Sequence, residues 1–180
     1  MGKRSSFERI DKDFYRTIDP MAVEPLLPFL VPGSTYAEPC YGCGDLVNLL
    51  DGYVNIQWSS DINDLNEDHV TTHKDALELT EDDLKNCDMI ITNPPWSRPI
   101  LHAMIEHFVT LKTTWLLFDA DWAHTRQSAK LMKDYCTDIV SVGRLKWIPG
   151  TTMSGKDNCA WYRFSNFKPY PTRFHGRTIN

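Results

Sequence analysis

Thr35-Tyr36-Ala37-Glu38-Pro39-Cys40-Tyr41-Gly42-Cys43-Gly44-Asp45 is the stretch that decides the fold. Thr35–Glu38 reads as a first strand, which Pro39 and the two glycines bring to a turn. Asp45-Leu46-Val47-Asn48-Leu49-Leu50 then reads as a short helix. Strand, G-x-G turn and helix form the layout of a nucleotide-type cofactor loop, in which glycines let the backbone approach a ligand closely. The third glycine of a dinucleotide fingerprint is absent. Ordinary turns also use G-x-G, so the flanking acids carry the argument. Glu38 stands at the end of the first strand, and Val54–Ser60 reads as a second strand ending at Asp61, seventeen residues after Gly44. An acid at that spacing suits ribose hydroxyls.

Working outward, strand-like runs alternate with helical patterns, which predicts an α/β domain with a mainly parallel sheet. Val70–His73, Met89–Thr92, Thr114–Phe118, Ile139–Val142 and Cys159–Phe164 read as the remaining strands. Met89–Ile91 is wholly apolar, as in a central strand covered on both faces. Ile100, Leu101, Met104, Ile105, Phe108 and Leu111 fall on one helical stripe, and a further helix is expected over residues 122–135. Asp19 as N-cap and Pro20 at the first position predict a helix carrying Val23, Leu26 and Leu27 inward. Beyond Phe164 the chain reads as an irregular extension.

The length of 180 residues fits one domain. With 42 % apolar residues a sizeable core is available, and no apolar run nears the roughly 18 residues of a membrane span. No apolar h-region follows Met1, so no secretory signal is expected. Five scattered cysteines, an odd number, fit a reducing cytosol. Cys40 and Cys43 form a C-x-x-C inside the glycine turn. Zinc would need two further ligands, none of the six histidines is paired for that, and no metal is expected. The net charge of −5 is unevenly spread. Residues 17–140 hold seven Lys/Arg and twenty Asp/Glu, net −13, whereas residues 141–180 hold seven Lys/Arg and one Asp, net +6. A basic end on an acidic body suggests a polyanion met at one edge, or else a solvated, charge-complementary tail.

Ile90-Ile91-Thr92-Asn93-Pro94-Pro95-Trp96 carries the chemistry. Two prolines directly after a buried strand end the ladder in a stiff turn. That turn aims the Asn93 amide and the Pro94 carbonyl outward from the strand's carboxyl end, where open α/β sheets bind ligands. Two such acceptors suit the hydrogens of an amino group, and Trp96 offers a flat face to a planar substrate.

Together these residues resemble the amino-directed S-adenosylmethionine-dependent methyltransferases, in particular the DNA adenine-N6 methyltransferases of small phage or prophage type. The resemblance covers about residues 7–165, and Asn93-Pro94-Pro95-Trp96 is its most specific part. It implies a Rossmann-like class I methyltransferase fold in a single domain, 1–180. The expected sheet is seven-stranded and mostly parallel, its last strand antiparallel, with helices on both faces. It implies S-adenosylmethionine held by Glu38, Pro39, Cys40, Gly42, Gly44 and Asp45, with Asp61 at the ribose and Asp75 with Ala76 at the adenine. Phe14-Tyr15-Arg16-Thr17 resembles the segment, here within residues 7–33, that closes over the methionine end, so Tyr15 and Thr17 join the cofactor set. Asn93 meets both cofactor and acceptor. Asn93, Pro94, Pro95 and Trp96 are the implied catalytic residues. Arg144–Pro149 and Asp157–Phe164 resemble the region where an aromatic, here Trp147, stacks on an extruded base. Pro39-Cys40 lies in the cofactor loop and not in the position of a cytosine-C5 methyltransferase nucleophile.

The implied chemistry is positioning. The adenine N6 lone pair is delocalised into the ring, and Asn93 with the Pro94 carbonyl would hold its hydrogens and favour a more tetrahedral nitrogen. No general base is needed before transfer. The expected partner is DNA, single-stranded or duplex with a flipped adenine. Extrusion costs about a few kcal/mol, and stacking returns about 1–3 kcal/mol per base. Ser165–Asn180 is too short for a target-recognition domain, so little sequence specificity is expected. Its Lys168, Arg173 and Arg177, interleaved with Phe167, Tyr170 and Phe174, suit backbone contacts. The other reading of this basic, aromatic extension, 165–180, is a strap held on the core by those aromatics. Rival functions are methylation of another planar amine, an RNA base or a protein glutamine, and a cofactor-binding accessory subunit without catalysis. The expected location is the cytoplasm of a bacterial or phage-infected cell.

Overall fold

A computed structural model describes residues 15–63 and 72–177. Its sheet is built on β5 (Thr113–Asp119), buried along its whole centre. Around it lie β1 (Thr35–Glu38), β2 (Asn55–Asp61), β3 (Thr72–His73), β4 (Met89–Thr92), β6 (Cys136–Gly143), β7 (Cys159–Phe164) and β8 (Arg173–His175). The order is β3-β2-β1-β4-β5-β7-β6-β8. All neighbours are parallel except at β7, which runs antiparallel to both β5 and β6. The chain order reverses between β1 and β4, which opens a crevice at their carboxyl ends.

Alternate residues serve opposite faces, as the strand period requires. Ala37, Ile90, Leu116, Phe118, Ala160, Tyr162 and Phe164 pack with α2 (Arg98–Leu111) and α3 (Ala129–Asp134). Tyr36, Ile91, Trp115, Leu117, Val140 and Trp161 face the other way, against residues 22–30 and α1 (Asp45–Leu50). Phe118 and Tyr162 stack at 4.2 Å, and the Tyr162 hydroxyl donates to the Asp119 and Ala120 carbonyls. The Trp161 indole donates to the Ala22 carbonyl at 2.6 Å and pins the N-terminal segment to β7.

Several expectations are corrected. The sheet has eight strands, because Arg173–His175 adds to β6 where an irregular tail was expected. Its last strand is therefore parallel, and the antiparallel one is next to last in the chain. Residues 20–30 form two short 3-10 turns, Pro20–Ala22 and Leu27–Phe29, instead of a helix. Pro25 and Pro28 lack the N–H that a continuous helix needs there. Asp19 still caps the first turn, accepting from Met21 N, and Val23 and Leu26 are buried. The expected helix over 122–135 is continuous only at Ala129–Asp134. Before it, Thr125 is extended and turns its hydroxyl to Ser128 N, which interrupts the spiral. Ile100 leaves the buried stripe of α2 and is 43 % exposed at the crevice. Val70 and Thr71 of the expected third strand, Phe14, and residues 7–13 of the N-terminal segment lie outside the described residues.

Candidate active site

The crevice is a cavity of about 680 Å³ at the carboxyl ends of β1, β2 and β4. Glu38 ends β1 inside it and is 1 % exposed. One carboxyl oxygen accepts the Cys40 N–H at 2.9 Å, while Oε2 and the Thr92 hydroxyl are buried without a well-formed hydrogen bond. Burial dominates and pushes the Glu38 carboxyl up to about 8, against the opposing pull of Thr92 and the Cys40 N–H. Burial likewise drives the Cys40 thiol well above its usual value, so it is not a thiolate at neutral pH. Among the described residues no group of three or more His, Cys, Asp or Glu is placed to hold a metal ion. Nor, among them, is any helix long and apolar enough to cross a membrane.

The turn after β1 needs its glycines. Gly44 has φ of +76°, and a Cβ there would lie 2.5 Å from the Tyr41 hydroxyl oxygen. Asp61 reaches over from β2 and accepts the Gly42 N–H at 2.9 Å through Oδ2. Its Oδ1 accepts from the Asn63 backbone and side chain. Asp45, opening α1, takes a two-pronged ion pair from Arg16 at 2.7 and 2.8 Å. Asp75 caps the turn Ala76–Glu78 by accepting the Leu77 N–H at 2.9 Å. Pro39 and Ala76 complete this part of the wall. Glu38, Asp45, Asp61 and Asp75 thus give the cavity an acidic lining.

At the other end of the cavity stands Asn93, the first residue after β4. Its amide nitrogen donates to the Thr17 hydroxyl at 3.0 Å and to the Tyr15 carbonyl at 3.3 Å. Its amide oxygen accepts the Trp96 indole N–H at 3.1 Å. Pro94 is buried and Pro95 lines the cavity. Trp147, in the β6–β7 loop, meets Trp96 edge to face at 5.7 Å and Tyr15 at 6.4 Å. The structure therefore gathers Tyr15, Thr17, Glu38 to Asp45, Asp61, Asp75, Ala76, Asn93, Pro95, Trp96 and Trp147 into one region. Trp96 and Trp147 are perpendicular here, not two parallel planes. A base between two ring planes needs roughly 7 Å, twice a carbon contact distance, and here the rings touch each other.

Lys168 and Arg173 lie elsewhere. Lys168 Nζ donates to the Met132 and Lys133 carbonyls at the end of α3 and to Thr172 Oγ1. Arg173 pairs with the buried Asp138 of β6 at 3.0 Å. Both sit at the amino end of β6, across the sheet from Asn93. Their charges are engaged in holding the tail, which is the strap reading of residues 165–177. Arg177 differs: its guanidinium lies over Gly143, at the carboxyl end of β6 and next to Arg144.

Sequence reasoning missed Ile62 and Leu77, apolar residues that are 55 % and 38 % exposed and line the cavity directly after Asp61 and Ala76. Their signal was available, since Ile62 follows the acid that ends β2 and Leu77 follows the Asp75-Ala76 pair. Arg16 was read only as part of the closing segment, and its pairing with Asp45 was not foreseen.

No protein-family model matches the chain, and no curated protein matches it. Solved structures do. A protein from Listeria monocytogenes classed with the class I S-adenosylmethionine-dependent methyltransferases aligns over 89 % of this chain and 62 % of its own, with TM-score 0.57 and 13 % identity. The fold is that of the class I methyltransferases. The Mtq2–Trm112 complex of E. cuniculi, responsible for methylation of the eRF1 translation termination factor, gives a TM-score of 0.55 at 14 % identity over 82 % of this chain and 93 % of its own. A dimethyladenosine transferase from Plasmodium falciparum gives 0.52 at 16 % identity over 81 % and 59 %. The present chain spans less than two thirds of the Listeria and Plasmodium proteins.

Proposed function

We propose that this chain transfers the methyl group of S-adenosylmethionine to the N6 amino group of adenine in DNA. The observation that carries the reading is the position of Asn93. Its amide stands between an acidic, glycine-turned cavity and a pair of tryptophans.

The cavity suits the cofactor. Its volume falls in the usual range for small-molecule sites, about 300–1,000 Å³. The buried Glu38 Oε2 has no well-formed hydrogen bond and is placed to pair with a polar group of the ligand. Asp61 would hold the ribose hydroxyls with the lone pairs left after Gly42 and Asn63. Ile62 and Leu77 would flank the adenine, with Asp75 at its amino group. Tyr15 and Thr17 would close the methionine end. When bound, the cofactor supplies an electrophilic methyl on a sulfonium.

This chain's part in the reaction is to place the acceptor. Asn93 Oδ1 and the Pro94 carbonyl would accept the two hydrogens of the amine and so orient its lone pair for transfer. The base would enter against Trp96, beside the Trp147 ring. A nucleic acid is favoured over a protein because exposed cations around Trp147, among them Arg144 and Lys146, belong to the +6 end of an otherwise acidic chain.

The test is methyl transfer from labelled cofactor to single-stranded DNA, duplex DNA, RNA and protein, with mass analysis of the product. N6-methyladenine in DNA is the expected product. Label confined to RNA or protein moves the substrate class, and cofactor binding with no transfer anywhere indicates an accessory subunit.

A further inference from the structure

We infer that Thr17 is a positioning residue for the Asn93 amide, acting jointly with Trp96, so that the two together fix the orientation of the acceptor site. The inference rests on the methyl-transfer reading and adds to it.

An asparagine amide has two donors on nitrogen and two lone pairs on oxygen. Both ends of Asn93 are already addressed. Thr17 Oγ1 and the Tyr15 carbonyl accept at Nδ2, and the Trp96 indole, which can only donate, points at Oδ1. The flipped amide would set its N–H groups against the indole N–H and its oxygen against the Tyr15 carbonyl, so the chemistry allows one orientation. In that orientation Oδ1 keeps one lone pair for an incoming amino group.

The partners come from distant parts of the chain. Thr17 is buried, at 5 % exposure, and belongs to the segment whose Arg16 is clamped to Asp45 at the start of α1. Two residues on, Asp19 Oδ2 accepts the Lys146 backbone N–H at 3.0 Å, beside Trp147. Residues 15–19 therefore touch the cofactor turn, the acceptor asparagine and the loop bearing the second tryptophan. When the segment is seated, the amide is locked. Without the Thr17 hydroxyl, Nδ2 keeps only the longer bond to the Tyr15 carbonyl, and the Trp96 indole alone holds Oδ1. The indole N–H gives Trp96 a role that a phenylalanine with the same flat face could not fill.

The test compares Thr17→Val, which keeps shape and removes the hydroxyl, with Thr17→Ser, which restores it. Thr17→Val should lower kcat about tenfold, the usual worth of one such hydrogen bond, while changing affinity for the demethylated cofactor far less. Thr17→Ser should recover most of the rate. Independently of activity, proton exchange of the Asn93 side-chain amide, followed by NMR, should speed up severalfold in Thr17→Val and return in Thr17→Ser. Trp96→Phe, which leaves the Thr17 pocket intact, is the second variant and should also speed exchange. Unchanged exchange in a folded Thr17→Val and in Trp96→Phe overturns the inference, as does a rate loss that serine fails to rescue. A wild-type protein that transfers no methyl group to any acceptor defeats the functional reading instead, and the NMR comparison still judges the positioning.

Discussion

Asp61 at the end of β2 accepts the Gly42 N–H of the β1 turn at 2.9 Å, so the acid and the glycine loop are one unit. Removing that carboxylate should cost twice, once at the ribose and once in the shape of the loop. Asp61→Ala is expected to weaken cofactor binding by about tenfold or more, given about 1.5–3 kcal/mol for hydrogen bonds to a charged group. Asp61→Asn keeps a carbonyl oxygen for Gly42 and should fall between. Calorimetry with the demethylated cofactor decides it, and an Asp61→Ala protein as tight as wild type would remove Asp61 from the site.

Asn93→Ala should separate binding from turnover. Loss of a preorganised group that acts on the reacting atom costs about 10²–10³ in kcat. Affinity for the demethylated cofactor should change only a few-fold, because the cavity proposed for it is lined mainly by Glu38 to Cys43, Asp45, Asp61 and Asp75. Loss of binding with unchanged turnover at saturation would reverse the assigned role.

Glu38 supplies a pH prediction for the ligand-free protein. Its folded value of about 8, caused by burial, lies above the ordinary value of 4.5. The folded state therefore binds the proton more tightly than the unfolded state. The contribution of this carboxyl to stability is greatest below 4.5, falls as pH rises toward 8, and levels off beyond it, with a slope of at most about 1.4 kcal/mol per pH unit. Glu38→Gln should flatten that decline in melts recorded between pH 6 and pH 8.5. Parallel curves for the two proteins would show that the carboxyl is not protonated in the fold.

Much of this site was legible because it sits where strands end. Glu38, Asp61 and Asn93 each follow a β-rich run at a spacing set by the parallel sheet, and Pro94-Pro95 marks the end of β4 in the sequence itself. Contacts between distant segments were not legible. Nothing in Tyr15-Arg16-Thr17 says that a hydroxyl meets an amide 76 positions away. The eighth strand was missed because Arg173-Phe174-His175 has no alternating pattern. Its place is set by Asp138, a carboxylate buried in β6 that takes an ion pair from Arg173 and a hydrogen bond with His175. The 122–135 helix was overextended because apolar spacing persists through Thr125, whose hydroxyl competes for the backbone.

That buried carboxylate makes the strap testable. Burial alone would raise Asp138, but hydrogen bonds from His175 and Thr137 and the charges of Arg173 and Arg163 outweigh it and hold it below its ordinary value. Its stabilising contribution is therefore present above the unfolded carboxylate pKa and lost as pH falls through the lower folded value. Asp138→Ala should cost about 2 kcal/mol, less than the 3–5 kcal/mol of a fully buried pair, because the arginines are half exposed. Hydrogen exchange should show residues 173–175 losing protection first. Exchange unchanged there would mean that β8 is held by other contacts.

The same geometry divides the basic residues into two groups with different expected effects on DNA. Lys168 and Arg173 are tied to α3 and β6 at the amino end of the strand, whereas Arg144, Lys146 and Arg177 are exposed at the carboxyl end, near Trp147. Each phosphate neutralised on duplex DNA contributes a log–log salt slope of about −0.9. Arg144→Ala, Lys146→Ala and Arg177→Ala combined should flatten that slope and weaken binding to every sequence. Lys168→Ala with Arg173→Ala should lower the melting temperature and leave the slope in place. Trp147→Ala should act on neither quantity first. It removes the ring packed against Trp96 at 5.7 Å, so it should reduce turnover and the fluorescence change of an extruded 2-aminopurine more than duplex affinity. If instead the Lys168–Arg173 pair carries the slope, the nucleic acid crosses the opposite edge of the sheet, and the adenine could not reach Asn93 from there.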